Sequence, residues 1–532
     1  MTQKALIFDA TNGSSPLYSK LLASGRYEQG NLVRKVYGDG EIGHFLHPDV
    51  NQSDGAHPSF KGTVRGREVV VIGDLSSPEQ VIDTYDVCNT AFDETAAKLT
   101  IVVSPATLTR DRFQRRVLID LLASVPSTPA GNQLVLADAA EPGSPDYTPL
   151  RRLRRRAGKT AVDLLSNDSK PILLYTSSYE GLARKMMAIG NFEWGEVERT
   201  EVNGKPFFKK LGTNVHGRRV IVVSGTINAQ ETMELHYLAQ AVALAGALER
   251  DIIISYYMTG TMERKTKSGE AVKAKIRARQ LSALAPCPLG NRVIFCDLHS
   301  EGIPYYLEGG MQSRHVYLLK HLVACHARTL CGLEAPQMLG LIGLKLPAEL
   351  VRDITLSSTD AGRAKWVDSM GLDCGLDTAS GRKERLGDGL IVFLGALGPI
   401  FNRRTILSDD KCGTGGTVIK AGQGIRIDQY GRELLAKVGI TFDADGKPLN
   451  EITLDTATDA LVPHMVTEAN FSHFVGDAAV VEKMLAARDL LGRPVFSKIE
   501  ATDSHPNADK HHDGKRFITR SIAPLLVEAV SA

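Results

Sequence analysis

The chain has 532 residues, with 63 Lys and Arg against 61 Asp and Glu, a net charge of +2 with histidine neutral. So even a balance excludes a protein that binds nucleic acid or membranes through overall charge. The length is too great for one compact core, so two to four domains are expected. Seven cysteines (Cys88, Cys287, Cys296, Cys325, Cys331, Cys374 and Cys412) form an odd, scattered set without a CxxC pair. That is the pattern of free thiols in a reducing cytoplasm, not of a disulfide scaffold or a zinc site. Met1 to Ala10 lacks a basic-then-apolar signal, and no stretch reaches the length of a membrane span, so a soluble cytoplasmic protein is expected.

Taken in order, Ala5-Leu6-Ile7-Phe8 is a short apolar run that ends at Asp9 and a turn-prone Thr-Asn-Gly-Ser-Ser, which predicts a first strand. Tyr37-Gly38-Asp39-Gly40-Glu41 is a polar turn. Gly66 to Gly73 reads as a buried strand, followed by a helical stretch and another strand at Leu99 to Ser104. Alternating strands and helices predict an α/β fold with a largely parallel sheet.

The pattern then recurs. Gly217 to Ser224 echoes the strand at Gly66, and Ile252 to Ser255 echoes Ile101 to Ser104; both pairs lie 151 residues apart (66 to 217, 104 to 255). The turn Asn191-Phe192-Glu193-Trp194-Gly195-Glu196 reads as a counterpart of Tyr37 to Glu41. Three ordered matches predict an internal duplication. The arginine-rich run Pro149 to Lys159 between the copies reads as a solvated linker. Domain boundaries are expected near 160–170 and 315–345.

After Ile254 comes Ser255-Tyr256-Tyr257-Met258-Thr259-Gly260-Thr261-Met262-Glu263-Arg264-Lys265, then a helix predicted from Ala271 to Leu284. Cations just beyond a strand's C-terminal end can meet a polyphosphate, because open α/β sheets bind ligands there. Arg292 to Cys296 is the next strand and runs into Asp297-Leu298-His299-Ser300-Glu301. Further on, Arg404 to Ser408 is an apolar run that stops at Asp409 and Asp410, followed by Gly413-Thr414-Gly415-Gly416-Thr417 and a helix-competent segment. Glycines there let backbone N–H groups converge on one anion at a helix N-terminus. Thr414 and Thr417 can donate hydroxyls, and the paired acids suit sugar hydroxyls or a metal. Read alone, the corner is open between a phosphate cradle and an ordinary turn.

Asp297-Leu298-His299-Ser300-Glu301-Gly302-Ile303, the Thr359-Asp360-Ala361-Gly362 turn and the Asp409 to Thr417 loop occur in the order seen in phosphoribosyl pyrophosphate synthetases, and Ser521 to Ala529 resembles that family's end. The resemblance covers roughly residues 170–532 as a complete copy, with 1–165 as a degenerate copy of the family's first domain. It implies tandem phosphoribosyltransferase-like domains with central, mainly parallel sheets flanked by helices. The divisions are then 1–165, 166–335 (the ATP-binding domain) and 336–532 (the sugar-phosphate domain).

The same resemblance implies an enzyme that moves the diphosphoryl group of ATP to ribose 5-phosphate with Mg²⁺. It places the 5-phosphate on Gly413, Thr414, Gly415, Gly416 and Thr417, the sugar hydroxyls at Asp409 and Asp410, and the metal–ATP unit at His299 and Asp360. ATP phosphates map to Arg264 and Lys265. Adenine maps to the aromatic–acid loops Tyr37, Asp39, Glu41 and Phe192, Glu196, such a loop coming in the family from a neighbouring subunit. Lys383 and Arg385, in Gly381-Arg382-Lys383-Glu384-Arg385, map to a loop that closes over the diphosphate. A homo-oligomer is implied.

Departures from the family pattern bear on substrate choice. Gly413 stands where an acid is usual, Thr261 and Met262 replace an arginine and a glutamine, and Trp194 sits where Asp or Asn is common. The same chemistry on ADP-ribose, for NAD resynthesis, and a non-catalytic regulatory partner are therefore alternatives. The first copy, where Arg110-Asp111-Arg112 is the only echo of the basic segment, has no Asp-Leu-His and no Thr-Gly-Gly-Thr. It is expected to be silent and to replace the neighbouring subunit. The stretch from Asp443 to Asp459 has no assignment, and His505, His511 and His512 read as a polar loop or, less simply, a metal site.

Overall fold

The structure, a computed structural model, describes residues 4–11, 16–36, 42–47, 64–103, 112–126, 128–130, 132–136, 146–148, 170–202, 204–266, 269–340, 343–386, 390–441, 449 and 465–531. The turn Tyr37–Glu41, Arg110 and Asp111, the arginine run at 149–159 and, apart from Leu449, the stretch 443–459 lie outside the described residues. The chain divides into two units: Met1–Glu180 with Asn191–Val293 and Leu298–Arg314, and Gly181–Gly190 with Ile294–Asp297 and His315–Ala532.

Residues 5–148 form β1 (Ala5–Asp9), α1 (Pro16–Ala23), β2 (Tyr27–Gln29), β3 (Asn31–Val36), β4 (Ile42–His47), β5 (Glu68–Gly73), α2 (Pro78–Asp93), β6 (Lys98–Val103), α3 (Arg112–Ala123), β7 (Asn132–Leu136) and β8 (Asp146–Thr148). Residues 172–316 repeat the plan with β9 (Ile172–Tyr175), α4 (Glu180–Ile189), β10 (Glu193–Trp194), β11 (Val197–Val202), β12 (Lys205–Leu211), β13 (Arg219–Ser224), α5 (Ala229–Leu244), β14 (Glu249–Ile254), α6 (Lys273–Ser282), β15 (Gly290–Cys296) and β16 (Gln312–Val316). The two six-stranded sheets have the same order, β2-β1-β5-β6-β7-β8 and β10-β9-β13-β14-β15-β16. Each copy adds a separate antiparallel hairpin, β3–β4 or β11–β12. The central strands are Val/Ile runs buried on both faces, as parallel strands covered by helices must be.

The copies also agree bond by bond. Gly66 N–H donates to Thr95 O as Gly217 N–H donates to Gly246 O, and Ala10 N–H donates to Ile72 O as Thr176 N–H donates to Val223 O. In the first unit α2 packs on α5, its own counterpart, while α2 meets α6 and α3 meets α5. An element that meets its counterpart, with the flanking contacts exchanged, marks a pseudo-two-fold pairing of the copies.

That pairing is charged and buried. Along α2, Asp83, Asp86, Asn89 and Asp93 recur at helical spacing on one face. Asp86 is ion-paired to Lys273 (2.9 Å) and to Arg277, and Asp93 to Lys275 (3.1 Å) and Arg279 (3.2 Å). Burial resists ionisation of Asp86, but Arg277 and Lys273 outweigh it and hold the carboxyl below its ordinary range.

The second unit carries α7 (Leu319–Leu330), α8 (Ala348–Val351), β17 (Ile354–Ser358), α9 (Ala364–Cys374), β18 (Asp377–Leu386), β19 (Leu390–Leu397), β20 (Arg404–Cys412), α10 (Gly416–Tyr430), α11 (Arg432–Lys437), β21 (Thr467–Phe474), α12 (Ala478–Ala486), β22 (Lys498–Thr502), α13 (Pro506–His511), β23 (Phe517–Arg520) and α14 (Ala523–Ser531). Its sheet runs β19-β18-β17-β20-β21-β22-β23, parallel except for the β18–β19 hairpin. Leu407, Val418, Ile425, Phe471, Phe474, Met484, Phe496 and Phe517 close its core. All seven cysteines are free, and among the described residues no helix is long and apolar enough to cross a membrane.

Candidate functional site

β20 is a central strand, in register with β17 (Ser358 opposite Ser408) and β21 (Ser408 opposite Asn470), so its C-terminal end opens where parallel sheets take ligands. Asp409 and Asp410 stand at that end. Thr359 Oγ1 donates to Asp409 Oδ2 at 2.7 Å, and the Asp410 N–H donates to Asp409 Oδ1 at 2.9 Å. Asp410 is ion-paired to Arg363 at 2.7 Å, whose guanidinium stacks 5.2 Å from the Trp366 ring centre. Burial first, and the Asp410 carboxylate second, push the Asp409 carboxyl well above its ordinary range. The two adjacent acids therefore differ in their partners: Asp410 faces an arginine, and Asp409 a threonine hydroxyl and a backbone N–H.

The turn that follows is set by Gly415. Its φ of +70° lies in the left-handed region, and a Cβ there would come 3.0 Å from Met484 Cγ. Gly415 caps α10 without any side-chain hydrogen bond, so the first N–H groups of that helix face outward at its positive end. Thr414 is exposed, Gly413, Gly416 and Thr417 half-buried, and Lys483 of α12 donates to Thr414 O at 3.3 Å. Nearby in this unit Asp297, at φ +35°, accepts from Leu318 N–H (2.9 Å), Leu319 N–H (2.8 Å) and Ser472 Oγ, and so ties down the start of α7. Burial raises its carboxyl to about 6.

Asp360 follows β17, its carbonyl accepting from Ser358 Oγ at 2.7 Å. Lys383 and Arg385 lie in β18, opposite Phe393 and Ile391 of β19, so their run, expected as a loop, is one arm of a hairpin.

In the first unit, His299 is half-buried and backs the turn after β14: a Cβ on Gly260 would lie 3.4 Å from His299 Cβ. Tyr306 OH donates to Glu263 O at 2.7 Å from the same side. Arg264 has its side chain 79% exposed, 3.6 Å from Glu263, whereas Lys265 is ion-paired to Glu94 of the first copy. The first copy's hairpin reaches this place: Leu46 N–H donates to Gly269 O and Ala271 N–H donates to His44 O, both at 3.0 Å. Tyr37, Asp39 and Glu41 lie outside the described residues.

The expected equivalence of Phe192–Glu196 with Tyr37–Glu41 is corrected by the structure. Glu193 bonds Arg218 as Glu28 bonds Arg67, and Gly195 N–H donates to Leu173 O as Gly30 N–H donates to Ile7 O. The segment is thus the partner of 27–31, an edge strand beside β9. Phe192 is buried there and Glu196 exposed.

The fit of a metal follows from the donors. Among the described residues no group of three or more His, Cys, Asp or Glu is arranged to hold one. Magnesium needs only one or two carboxylates when phosphates supply the remaining oxygens, so a metal that arrives on ATP fits this donor set and a resident cage does not. The histidines at 505–512 serve the fold. His505 Nδ1 accepts from Asn507 N–H, His512 Nδ1 accepts from Thr519 N–H, and His511 packs edge-on against Phe474 and Phe517. The expected polar loop there is a short helix.

The family model for the N-terminal domain of ribose phosphate pyrophosphokinase matches residues 172–284, from β9 through α6. Over those residues, which lie in the second copy, the chain is similar to that family. Ribose-phosphate pyrophosphokinase of Ureaplasma parvum serovar 3 is 22% identical over 266 residues, 49% of this chain and 73% of that one. The pyrophosphokinase of Parasynechococcus marenigrum is 25% identical over 278 residues, 51% and 75% of the two chains. A crystal structure of phosphoribosylpyrophosphate synthetase from Mycobacterium smegmatis is similar with a TM-score of 0.48 and 19% identity, over 68% of this chain and 98% of that one.

Sequence reasoning missed Arg363 and Lys483 around the acid pair and turn, and Glu94 beside Lys265, and it named Thr359 only as part of a turn. Their roles come from three-dimensional neighbours far along the chain. Thr359 lay within a stretch already singled out, and Arg363 lay three residues after Asp360.

Proposed function

We propose that the chain is a Mg²⁺-dependent diphosphokinase that transfers the β,γ-diphosphoryl group of ATP to the anomeric hydroxyl of ribose 5-phosphate, giving phosphoribosyl pyrophosphate and AMP. The observation that carries this reading is the β20–α10 corner: two adjacent acids, one paired to Arg363, followed by a helix start without a side-chain cap that Gly415 opens. The 5-phosphate takes the N–H groups from Gly413 to Thr417 and the Thr414 and Thr417 hydroxyls. Asp410 accepts from sugar hydroxyls, and Asp409 orients them.

Residues 166–335 are read as the ATP domain, 336–532 as the sugar-phosphate domain and 1–165 as the silent copy. Arg264 and Lys265 meet the ATP phosphates, with Tyr37, Asp39 and Glu41 on the adenine side; Phe192 and Glu196 keep a place among the nucleotide residues only through the resemblance. His299 and Asp360 are the residues assigned to magnesium, which when bound neutralises phosphate charge. In the transfer the sugar oxygen bonds to the β-phosphorus and gives up its hydroxyl proton to solvent, the bond from that phosphorus to the α-phosphate bridging oxygen breaks, and AMP leaves with the electron pair. Lys383 and Arg385 neutralise the charge that spreads over the moving oxygens.

The test is AMP release from MgATP with ribose 5-phosphate or with ADP-ribose. Release with ribose 5-phosphate supports the proposal. Release with ADP-ribose alone transfers the same chemistry to that acceptor, and no release with either leaves a regulatory partner.

A further inference from the structure

Glu94 ends α2 in the copy that lacks the sugar-phosphate loop, with its own N–H donating to Thr90 O at 2.9 Å. Its side chain is almost buried, and it does two things across the interface between copies. Oε1 accepts the Gly269 N–H at 3.0 Å, and it is ion-paired to the Lys265 ammonium. Gly269 has φ +78°, and a Cβ on it would lie 2.6 Å from Leu46 O, so its backbone is fitted against the first copy's β4 with no room for a side chain. From β4, Leu46 and His44 hold Gly269 and Ala271 with one backbone bond each. Within the segment, Thr266 N–H and Oγ1 both donate to Glu270 Oε2 at 2.7 Å.

Among the described residues just beyond Lys265, Thr266, Gly269 and Glu270 bring no large apolar side chain, and a carboxylate and a strand of the other copy hold the backbone at Gly269. A charged group placed by such contacts is displaced when they are lost, and small displacements of a phosphate-binding cation are costly for binding.

We propose that Glu94 is a positioning residue for the nucleotide: through Gly269 and Lys265 it fixes where Arg264 and Lys265 present their charge, so the catalytically silent copy sets the ATP affinity of the second. The proposal rests on the reading of that segment as the ATP-phosphate contact.

The test is MgATP binding by isothermal titration calorimetry, with KM and kcat for ATP and ribose 5-phosphate measured alongside, on the full chain. Glu94→Ala is expected to raise the Kd and KM for MgATP about tenfold, the loss of a charge-assisted bond, with kcat and the KM for ribose 5-phosphate within about twofold. Glu94→Gln, which keeps an acceptor for Gly269 N–H, is expected to recover most of the affinity and holds the fold if the alanine variant melts early. Unchanged or tighter MgATP binding in Glu94→Ala overturns the proposal and leaves the functional reading intact. A fall in kcat with both KM values unmoved also overturns it. No MgATP binding by the wild-type chain removes both.

Discussion

Arg67 and Arg218 make the same two bonds in two different places. Arg67 Nη2 donates to Lys4 O at 2.7 Å and to Glu28 Oε2 at 2.5 Å; Arg218 Nη2 donates to Lys170 O at 2.7 Å and to Glu193 Oε2 at 2.6 Å. Each arginine begins the central strand of its copy and ties the lead-in of the first strand to the edge strand. Arg34 and Arg199 repeat the lesson: Arg34 bonds Ala10 O and Asp83, and Arg199 bonds Tyr175 O and Glu234. The duplication is preserved in side-chain chemistry as well as in strand order.

The two arginines differ in burial, which predicts unequal costs. Arg67 is the more enclosed, so Arg67→Ala should destabilise by about 2 kcal/mol and Arg218→Ala by about 1 kcal/mol. Thermal melting checks this, and the double variant should show nearly the sum, since the sites share no partner.

Asp86 carries the copy–copy interface. Asp86→Asn keeps the volume but leaves Lys273 and Arg277 buried without a counter-charge, and should cost about 3–5 kcal/mol. Early melting with rapid proteolysis of the first unit is the expected result. An unchanged melting curve would show that the pairing of the copies does not depend on this carboxylate.

Glu231 gives the first unit a pH dependence. Burial first, and Glu234 second, raise its carboxyl from 4.5 to about 7, against hydrogen bonds from Thr176 and Ser178 that favour the anion. The folded state therefore binds this proton more tightly than the unfolded state. Its contribution is fully present below pH 4.5 and is lost as pH rises through 7. Glu231→Gln, which mimics the protonated form, should melt close to wild type at pH 5 and above it at pH 8.5. A gap independent of pH would remove Glu231 as the source.

Gly415 is required by conformation. Gly415→Ala places a side chain at φ +70° and against Met484, a strain of about 1–2 kcal/mol at the start of α10. The KM for ribose 5-phosphate should rise about tenfold while the KM for ATP holds. Steady-state kinetics with each substrate varied separates the two.

Much of this was legible in the chain itself. The Val/Ile runs at Glu68–Gly73 and Arg219–Ser224 became central strands because a buried parallel strand has no polar alternation to hide. Gly415 could be read as a conformational requirement from its place between a strand and a helix. What failed was register across an insertion. Glu28 and Arg67 are 39 residues apart, but Glu193 and Arg218 only 25, because more chain separates β4 from β5 (47 to 68) than β12 from β13 (211 to 219). The offset between copies is therefore not constant, 165 at Glu28 and Glu193 but 151 at Arg67 and Arg218, and Phe192–Glu196 was matched with the wrong turn. Arg363, Lys483 and Glu94 were invisible for another reason: each acts on a partner from a different element, and no local pattern encodes that.

The central claim is tested most directly by ³¹P NMR of the chain incubated with MgATP and ribose 5-phosphate. The account predicts AMP together with a new pair of coupled diphosphate resonances on the sugar, in equal amounts, both abolished by Asp410→Asn. Orthophosphate and ADP in place of that pair, or unaltered ATP with a sugar phosphate that still binds, would contradict it.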